Sequence, residues 1–262
     1  MTGDGAARVQ SERMGGHSHW SQIKRQKGGN DVKRGMAFTR LSREISVAVR
    51  EGGADASMNP RLRLAIDKAK AENMPSDTIK RAVERGGPGD ASLLEEITFE
   101  GYGPGGVGIL IQTVTDNRNR TVSSLRQALN RNGGNLGESG TVAWQFESRG
   151  VINIEPGGVD PDELALTTID AGAEDVQIAG DYVEVITGPT DLDRVRRALV
   201  DAGLTVTSAE LSMVPKNSVP LDAKHAGSTL RLLDVIEDIE DVQKVYCNAD
   251  FPESTLLEYA AS

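Results

Sequence analysis

Side chains that can bind a polyanion are concentrated between Gly15 and Arg50. This stretch begins with two histidines and a tryptophan, His17, His19 and Trp20, and continues as an arm rich in glycine and lysine. It contains eight basic and two acidic residues, a net charge of +6, whereas the whole chain carries −10. Cations contact phosphates and an indole stacks on an unpaired base, so this segregation predicts nucleic-acid binding. The predicted phosphate contacts are Lys24, Arg25, Lys27, Lys33, Arg34, Arg40 and Arg43.

The paired histidines predict contacts with sugar, phosphate or base rather than with a metal ion. The only other histidine is His225, and the single cysteine is Cys247. A tetrahedral metal site needs more ligands than these residues supply nearby, so we expect no bound metal. An alternative role for Trp20 is to anchor the arm on the domain that follows, and the two roles are compatible.

A second cationic motif, Asp116–Thr121 (DNRNRT), lies where a predicted strand ends and a predicted helix begins. Its polar side chains are typical of a helix cap. Arg118 and Arg120 add positive charge where helix amides point outward, so they are secondary candidates for phosphate contacts. The cap is the favoured interpretation, and it does not exclude the phosphate contacts.

The chain lacks the motifs of common catalytic sites. Gly101–Gly106 spells G-x-G-x-x-G, but a predicted strand follows it instead of a helix, which indicates a hairpin turn rather than a nucleotide site. A P-loop, a nucleophile elbow and an HExxH motif are all missing. We therefore expect no enzymatic activity and no cofactor. The enzymatic alternative requires a pocket of converging carboxylates between the two α+β domains.

The elements that would position these residues follow from hydrophobic periodicity. Three short helices are predicted after the arm, and Arg40 and Arg43 fall on the polar face of the first, at about 36–50; a solvated face is the alternative interpretation. Strands at 95–102, 107–114 and 141–147 flank a helix at 119–131, and a helix and a strand follow at 227–238 and 242–248. Between them, residues 151–213 have the β-α-β-β-α-β order of a ferredoxin-like unit.

The predicted fold class is a multidomain α+β protein. It has an N-terminal three-helix domain followed by two ferredoxin-like α/β sandwiches, the second inserted in the first. The predicted segments are a disordered extension at 1–14, the basic arm and helical domain at 15–90, an α+β domain at 91–149 plus 214–262, and the inserted domain at 150–213.

Composition limits where the chain works and how it binds. One cysteine fits a reducing compartment, no apolar run is long enough for a membrane span, and residues 1–13 lack a signal-peptide core. We therefore expect a cytoplasmic protein. Residues 1–92 carry +6 and the remainder −16, so the acidic part is expected to orient nucleic acid or to bind a protein partner.

Seven motifs follow one another along the chain: Gly16–Trp20, the Lys/Arg-Gly arm, Asn73–Pro75, Phe99–Gly106, Thr115–Thr121, Gly133-Gly134 and Gly140–Phe146. Together they resemble the YebC/PmpR family. The family pattern has lysine at the position of His19, so one fixed charge is absent here. The resemblance implies a three-domain α/β protein of cytoplasm or mitochondria, without enzymatic activity. Bacterial members carry the label of DNA-binding transcriptional regulators, mitochondrial relatives are translational activators of cytochrome c oxidase, and some bacterial relatives are ribosome-associated factors that ease synthesis of proline runs.

The leading hypothesis is a non-enzymatic nucleic-acid-binding regulator of gene expression, which the family label makes a DNA-binding transcriptional regulator. One alternative is a translation factor associated with the ribosome and its RNA, and another is a protein adaptor that works through its acidic face. The expected partners are DNA or ribosomal RNA, the ribosome, and a protein bound by the acidic C-terminal domains, with no membrane contact.

Overall fold

The computed structural model describes residues 31–87, 94–179 and 182–261. These residues fall into two compact units: residues 148–214 form one, and the other described residues form the second. The second unit contains a helical domain and an α+β domain. In the described ranges, no helix has the length and apolar character needed to cross a membrane.

The helical domain consists of α1 (Asp31–Gly52), α2 (Pro60–Ala71) and α3 (Ser76–Arg85). Asn59 joins the first two helices and is buried. Its Oδ1 caps α2 by accepting from the Leu62 amide at 3.0 Å, and its Nδ2 donates to the carbonyls of Ala48 and Gly53 at 2.7 and 2.8 Å. The apolar faces meet in one core: Leu41, Ile45, Ala48, Val49, Leu62, Ala65, Ala69, Met74, Ile79 and Ala82.

The Asn73-Met74-Pro75 motif ends α2 and redirects the chain into α3. Asn73 has a left-handed backbone, with φ 57°. The Asn73 amide donates to the Lys70 carbonyl and the Met74 amide donates to the Ala69 carbonyl, both at 2.9 Å. These two bonds form a Schellman motif, and Met74 closes it by burying its side chain in the helical core.

Asn73→Ala is expected to lower the free energy of unfolding by about 1 kcal/mol, because a Cβ-bearing residue that lacks asparagine's tolerance is strained at positive φ. Asn73→Gly should remove this strain and leave stability within a few tenths of a kcal/mol. Urea unfolding of both variants measures the effect, with Glu72→Ala as the control at a neighbouring exposed position of negative φ. Equal losses for alanine and glycine would contradict the backbone explanation.

The α+β domain has a four-stranded antiparallel sheet. Its strands are β1 (Glu95–Tyr102), β2 (Gly108–Thr115), β3 (Asn135–Leu136) and β9 (Val242–Cys247), in the order β3-β1-β2-β9. Helices α4 (Arg118–Arg131) and α7 (Ala223–Glu237) contribute Leu125, Leu129, Leu230 and Leu233 to its core. A short parallel pair, β8 (Val219–Pro220) and β10 (Ala249–Asp250), and helix α8 (Glu253–Ala261) complete the domain.

The inserted unit, residues 148–214, is built from β4 (Phe146–Glu155), α5 (Pro161–Asp170), β5 (Asp175–Ala179), β6 (Tyr182–Thr187), α6 (Leu192–Asp201) and β7 (Thr205–Pro215). The sheet order β5-β6-β4-β7 is that of a ferredoxin-like fold. Its core contains Ile152, Leu164, Val185, Val195 and Leu199. The unit has four basic and thirteen acidic residues, a net charge of −9.

The predicted class, α+β with several domains, is confirmed, with two local corrections. The first concerns the ferredoxin-like strand order that was predicted for both α+β domains. The inserted unit has this order, with its β5–β6 hairpin at an edge of the sheet, whereas the α+β domain has its β1–β2 hairpin at the centre. The reason is that α4 carries the chain across β1, so that β3 pairs with β1. The strand predicted at 141–147 was wrong: residues 143–145 form a 3-10 turn and β4 begins at Phe146.

Candidate nucleic-acid interface

Most of the predicted nucleic-acid contacts of the arm lie outside the described residues. These are His17, His19, Trp20, Lys24, Arg25 and Lys27. Lys33 and Arg34 belong to the first turn of α1, but their side chains are also outside the description. The roles of these eight residues stay predictions.

Arg40 and Arg43, also predicted to contact phosphate, instead bind the turn between α7 and β9. Arg40 Nη2 donates to the carbonyl of Glu237. Burial lowers the pKa of Arg40, and the nearby charges of Glu237 and Asp238 oppose this shift. Arg43 donates to the Glu240 carbonyl at 2.9 Å and to the Glu240 carboxylate at 2.8 Å. Both guanidiniums therefore connect the helical domain to the α+β domain, and phosphate contact by either would compete with these bonds.

A buried carboxylate is central to this contact. The Asp241 side chain is only 4% exposed and accepts four hydrogen bonds. Arg43 Nη1 donates at 3.2 Å, Arg120 Nη2 donates to the two carboxylate oxygens at 3.0 and 3.1 Å, and Thr121 Oγ1 donates at 2.8 Å. We call Arg43, Arg120, Thr121 and Asp241 the Asp241 cluster. It joins α1, α4 and the start of β9 through one side chain.

The predicted helix cap in the DNRNRT motif is confirmed. Asn117 Oδ1 accepts from the amide of Arg120 at 3.1 Å. The Arg120 side chain also pairs with Asp116 at 2.7 Å, and the hydrogen bonds that it donates to Asp241 and Asp116 raise the pKa of Arg120. Arg120 is thereby committed to intramolecular carboxylates, although about half of its side chain is exposed. Its role in phosphate binding stays a prediction.

Arg118 differs from Arg120 because it is the first residue of α4 and is exposed. Across the described ranges, no carboxylate pairs with it. A cation at a helix N-terminus opposes the helix dipole, and the same terminus attracts anions. An anion bound there would relieve the repulsion, so Arg118 is the member of this motif that remains available to phosphate.

The helical domain exposes further cations that sequence reasoning did not select. Lys70, Lys80, Arg81 and Arg85 are exposed, and within the described part of the chain none forms a salt bridge. Arg61 and Lys68 differ, since they pair with Glu51, Glu96 and Glu44. The sequence does indicate these unpaired cations, because they lie on the polar faces of α2 and α3, opposite the buried residues.

At the opposite end of the sheet, a buried glutamate organises a loop. Glu100 is 5% exposed, and its carboxylate accepts from the amides of Gly140, Val142 and Ala143 at 2.6, 2.6 and 2.7 Å. Burial by itself raises the pKa of Glu100, but the three amide donors outweigh it and hold the pKa below its ordinary value. We call residues 137–145 the Trp144 loop; its tryptophan is 65% exposed.

Glu100→Gln is expected to destabilise the Trp144 loop by about 2 kcal/mol at neutral pH, because an amide nitrogen would face backbone donors that now meet a carboxylate oxygen. Since the folded state lowers the Glu100 pKa, the stabilisation is complete above the unfolded pKa of about 4.3 and is lost as pH falls through the folded value. Urea unfolding from neutral to acid pH should therefore show a gap between wild type and variant that closes only at acid pH.

Glu138→Gln is the matched control, since Glu138 is an exposed carboxylate of the same loop. It should leave stability unchanged at every pH. A wild-type advantage that persists unchanged below the folded pKa of Glu100 would contradict the role of its charge.

Comparison with known proteins identifies two matching family models. The model of the TACO1/YebC protein N-terminal domain matches residues 18–88, and the model of the TACO1/YebC second and third domain matches residues 94–249. A protein of Dehalococcoides mccartyi named probable transcriptional regulatory protein is 51% identical over 247 residues, which cover 94% of this chain and 98% of the relative. A protein of Roseiflexus castenholzii with the same name is 53% identical over 254 residues, covering 95% and 100%.

A solved structure has the same fold. The crystal structure of a conserved hypothetical protein from Aquifex aeolicus is similar with a TM-score of 0.79 and 40% sequence identity, over 85% of this chain and 93% of the other.

Proposed function

Because this chain belongs to the TACO1/YebC family, we propose that it is a non-enzymatic, nucleic-acid-binding regulator of gene expression in the cytoplasm. The names of the relatives support a regulatory role in transcription. The observation that supports nucleic-acid binding most directly is the separation of charge along the chain. Residues 15–50 have a net charge of +6, and the inserted unit has −9. Such a chain attracts a polyanion to its basic segment and repels it from its acidic unit, which confines binding.

The arm provides the main contacts in this proposal. Its cations contact phosphates, while His17, His19 and Trp20 contribute hydrogen bonds and stacking. Arg118 adds a phosphate contact at the start of α4. Arg40, Arg43 and Arg120 reach phosphate only if they leave their intramolecular partners, so we assign them chiefly to holding the two domains of the unit together. The arm cations are Lys24, Arg25, Lys27, Lys33 and Arg34.

A second candidate, a translation factor bound to the ribosome and its RNA, is favoured by the position of α1. A DNA regulator would read base edges in the major groove from an exposed helix face, and Arg40 and Arg43 are the residues expected on such a face. Both bind the segment 237–241 instead. An arm rich in glycine and lysine that orders on structured RNA does not need that face.

Crosslinking in cells distinguishes the two polymers. Ultraviolet crosslinking followed by sequencing of both RNA and DNA should compare wild type with the variant in which the five arm cations are alanine. A matched variant removes five exposed cations elsewhere: Arg131, Arg194, Arg197, Lys224 and Arg231. The proposal expects crosslinks that are lost in the arm variant and retained in the matched variant.

The kind of nucleic acid that is crosslinked, and its dependence on the arm, distinguish the candidate functions. Arm-dependent crosslinks focused on ribosomal RNA would identify a translation factor, and crosslinks focused on promoter DNA would identify a transcriptional regulator. Crosslinks that are absent, or that do not depend on the arm, would contradict the proposal and favour the adaptor, whose protein partner binds the acidic inserted unit.

A further inference from the structure

We propose that Trp144 is a stacking platform for an unpaired base of single-stranded nucleic acid, with Lys216 contacting the adjoining phosphate. The inference rests on the proposed function and adds a binding point outside the arm and the helical domain. Three features of Trp144 support this inference: its ring is exposed, its loop is held by hydrogen bonds, and the faces of its indole remain open to a ligand.

Exposure distinguishes this tryptophan from ordinary core residues. Tryptophan side chains are highly buried on average, but Trp144 is 65% exposed. The two residues that flank its turn, Val142 and Phe146, are 0% and 4% exposed. The loop is therefore anchored on both sides while its largest apolar side chain faces solvent.

The Trp144 loop is rigidly held, so the ring is presented in a fixed position. In addition to the three bonds to Glu100, the Tyr102 hydroxyl donates to the Thr141 carbonyl at 3.0 Å. The Gln145 amide donates to the Val142 carbonyl at 2.9 Å, and Asn248 Nδ2 donates to Gln145 Oε1 at 2.7 Å. A ring held in place before binding loses little conformational entropy when a ligand stacks on it.

The indole retains only its ring faces for a ligand. Its single hydrogen-bond donor, Nε1, already donates to the Thr141 carbonyl at 3.1 Å. A ligand that needs a hydrogen bond gains nothing here, but a flat aromatic ring can stack. Every base has such a face, so stacking tolerates any sequence and suits a single strand.

A cation is bound to the backbone of Trp144. Lys216 is exposed, and its Nζ donates to the backbone carbonyl of Trp144 at 3.0 Å. The Lys216 amide also donates to the Gln145 carbonyl at 2.8 Å, which fixes the lysine backbone against the loop. A nucleotide places a base and a phosphate one sugar apart, and an exposed indole whose own backbone carbonyl binds an ammonium matches that combination. This favours nucleic acid over an uncharged peptide as the occupant.

The platform is separate from the Asp241 cluster. The Trp144 loop packs at Gly108, where β2 begins, and Arg118 follows Thr115, where β2 ends. An eight-residue strand spans about 26 Å. A short oligonucleotide on the platform therefore leaves the end of the domain that carries Arg118 unoccupied, which allows the two to be tested independently.

Fluorescence titration tests the inference. The chain has two tryptophans, so Trp20→Phe makes Trp144 the only reporter. Short unstructured oligo-adenylate and oligo-uridylate are the probes, and saturable quenching is expected, stronger for the purine. By fluorescence anisotropy of the labelled probes, Trp144→Ala should weaken binding by about 5- to 150-fold, whereas Trp144→Phe should keep most of the affinity. Lys216→Ala should reduce the slope of log K against log salt by about 0.7.

Leu257→Ala is the matched control, because Leu257 is an apolar side chain of the same unit with 64% exposure. It should leave affinity unchanged. If Trp144→Ala binds RNA as wild type does while the arm variant loses binding, the platform is overturned and the proposed function stands. If neither variant loses binding, both are overturned. Quenching by a proline-rich peptide and not by RNA would also overturn the inference.

Discussion

Alanine at the five arm cations, Lys24, Arg25, Lys27, Lys33 and Arg34, is expected to lower nucleic-acid affinity by about 10³-fold at low salt, because phosphate contacts supply most of the binding energy of a sequence-independent complex. For the wild-type chain, six or seven contacts predict that log K falls with log salt at a slope of about −4 to −6. Removing five contacts should bring the slope close to −1. Fluorescence anisotropy with a labelled RNA hairpin and a labelled DNA duplex, at a series of salt concentrations, measures both quantities.

The matched variant without Arg131, Arg194, Arg197, Lys224 and Arg231 has the same net charge as the arm variant. It should keep a steep slope, since these residues are not in the proposed interface. A wild-type affinity that does not depend on salt would contradict the electrostatic proposal. Equal loss in both variants would mean that net charge, rather than the arm, determines binding.

The parts of the fold that sequence predicted are those whose pattern is local. The helices of the first domain bury Leu41, Ile45 and Leu62 at helical spacing, and glycine or proline marks where each one ends. In the inserted unit, alternating strands and amphipathic helices give the ferredoxin-like order because short connections leave few other ways to close a single core. Periodicity was sufficient in both cases.

The Trp144 loop shows where periodicity fails. Apolar Val142, Trp144 and Phe146 alternate with other residues along the chain, which is the pattern of a strand with one apolar face. In the structure Val142 and Phe146 are buried but Trp144 is exposed, so the three do not share one face. The loop takes another shape because its amides bond to the carboxylate of Glu100, about forty residues earlier. A charged residue inside a predicted strand was the only signal, and it does not identify which amides it will bind.

The arginines of α1 show a related limit, because their intramolecular partners are distant along the chain. Arg40 and Arg43 have the spacing of a solvated or nucleic-acid-binding face, and Glu44, four residues after Arg40, is the one carboxylate three or four residues from either. Their partners lie about 197 residues away, at Glu237, Glu240 and Asp241. A count of charges along the chain does not show that tertiary structure has given these arginines intramolecular acceptors, so phosphate contact by Arg40 and Arg43 stays a prediction that must compete with those bonds.

Asp241 pairs with both Arg43 and Arg120. Its replacement should therefore destabilise the chain more than replacement of any other residue of the described interface. Asp241→Ala is expected to lower the free energy of unfolding by about 3 kcal/mol, the lower end of the range for breaking a buried ion pair, because Arg120 stays half-exposed and can be hydrated. Urea unfolding measures the loss. Glu258→Ala is the control, since Glu258 is an exposed carboxylate of the same unit that lies outside this interface. Similar losses in the two variants would contradict the special position of Asp241.

The Asp241 cluster also allows the role of Arg43 to be tested. If Arg43 is bound to Asp241, Arg43→Met should lower stability and leave the salt slope of nucleic-acid binding unchanged, and the loss should be much smaller in an Asp241→Ala background. If Arg43 contacts phosphate instead, Arg43→Met should reduce the slope by about 0.7 to 0.9, with little effect on unfolding. Because the Arg43 side chain is only 15% exposed and already donates to Glu240 and Asp241, we expect the first result. The cationic face of α1 then serves to hold the helical domain in place, so that the arm is the part that binds nucleic acid.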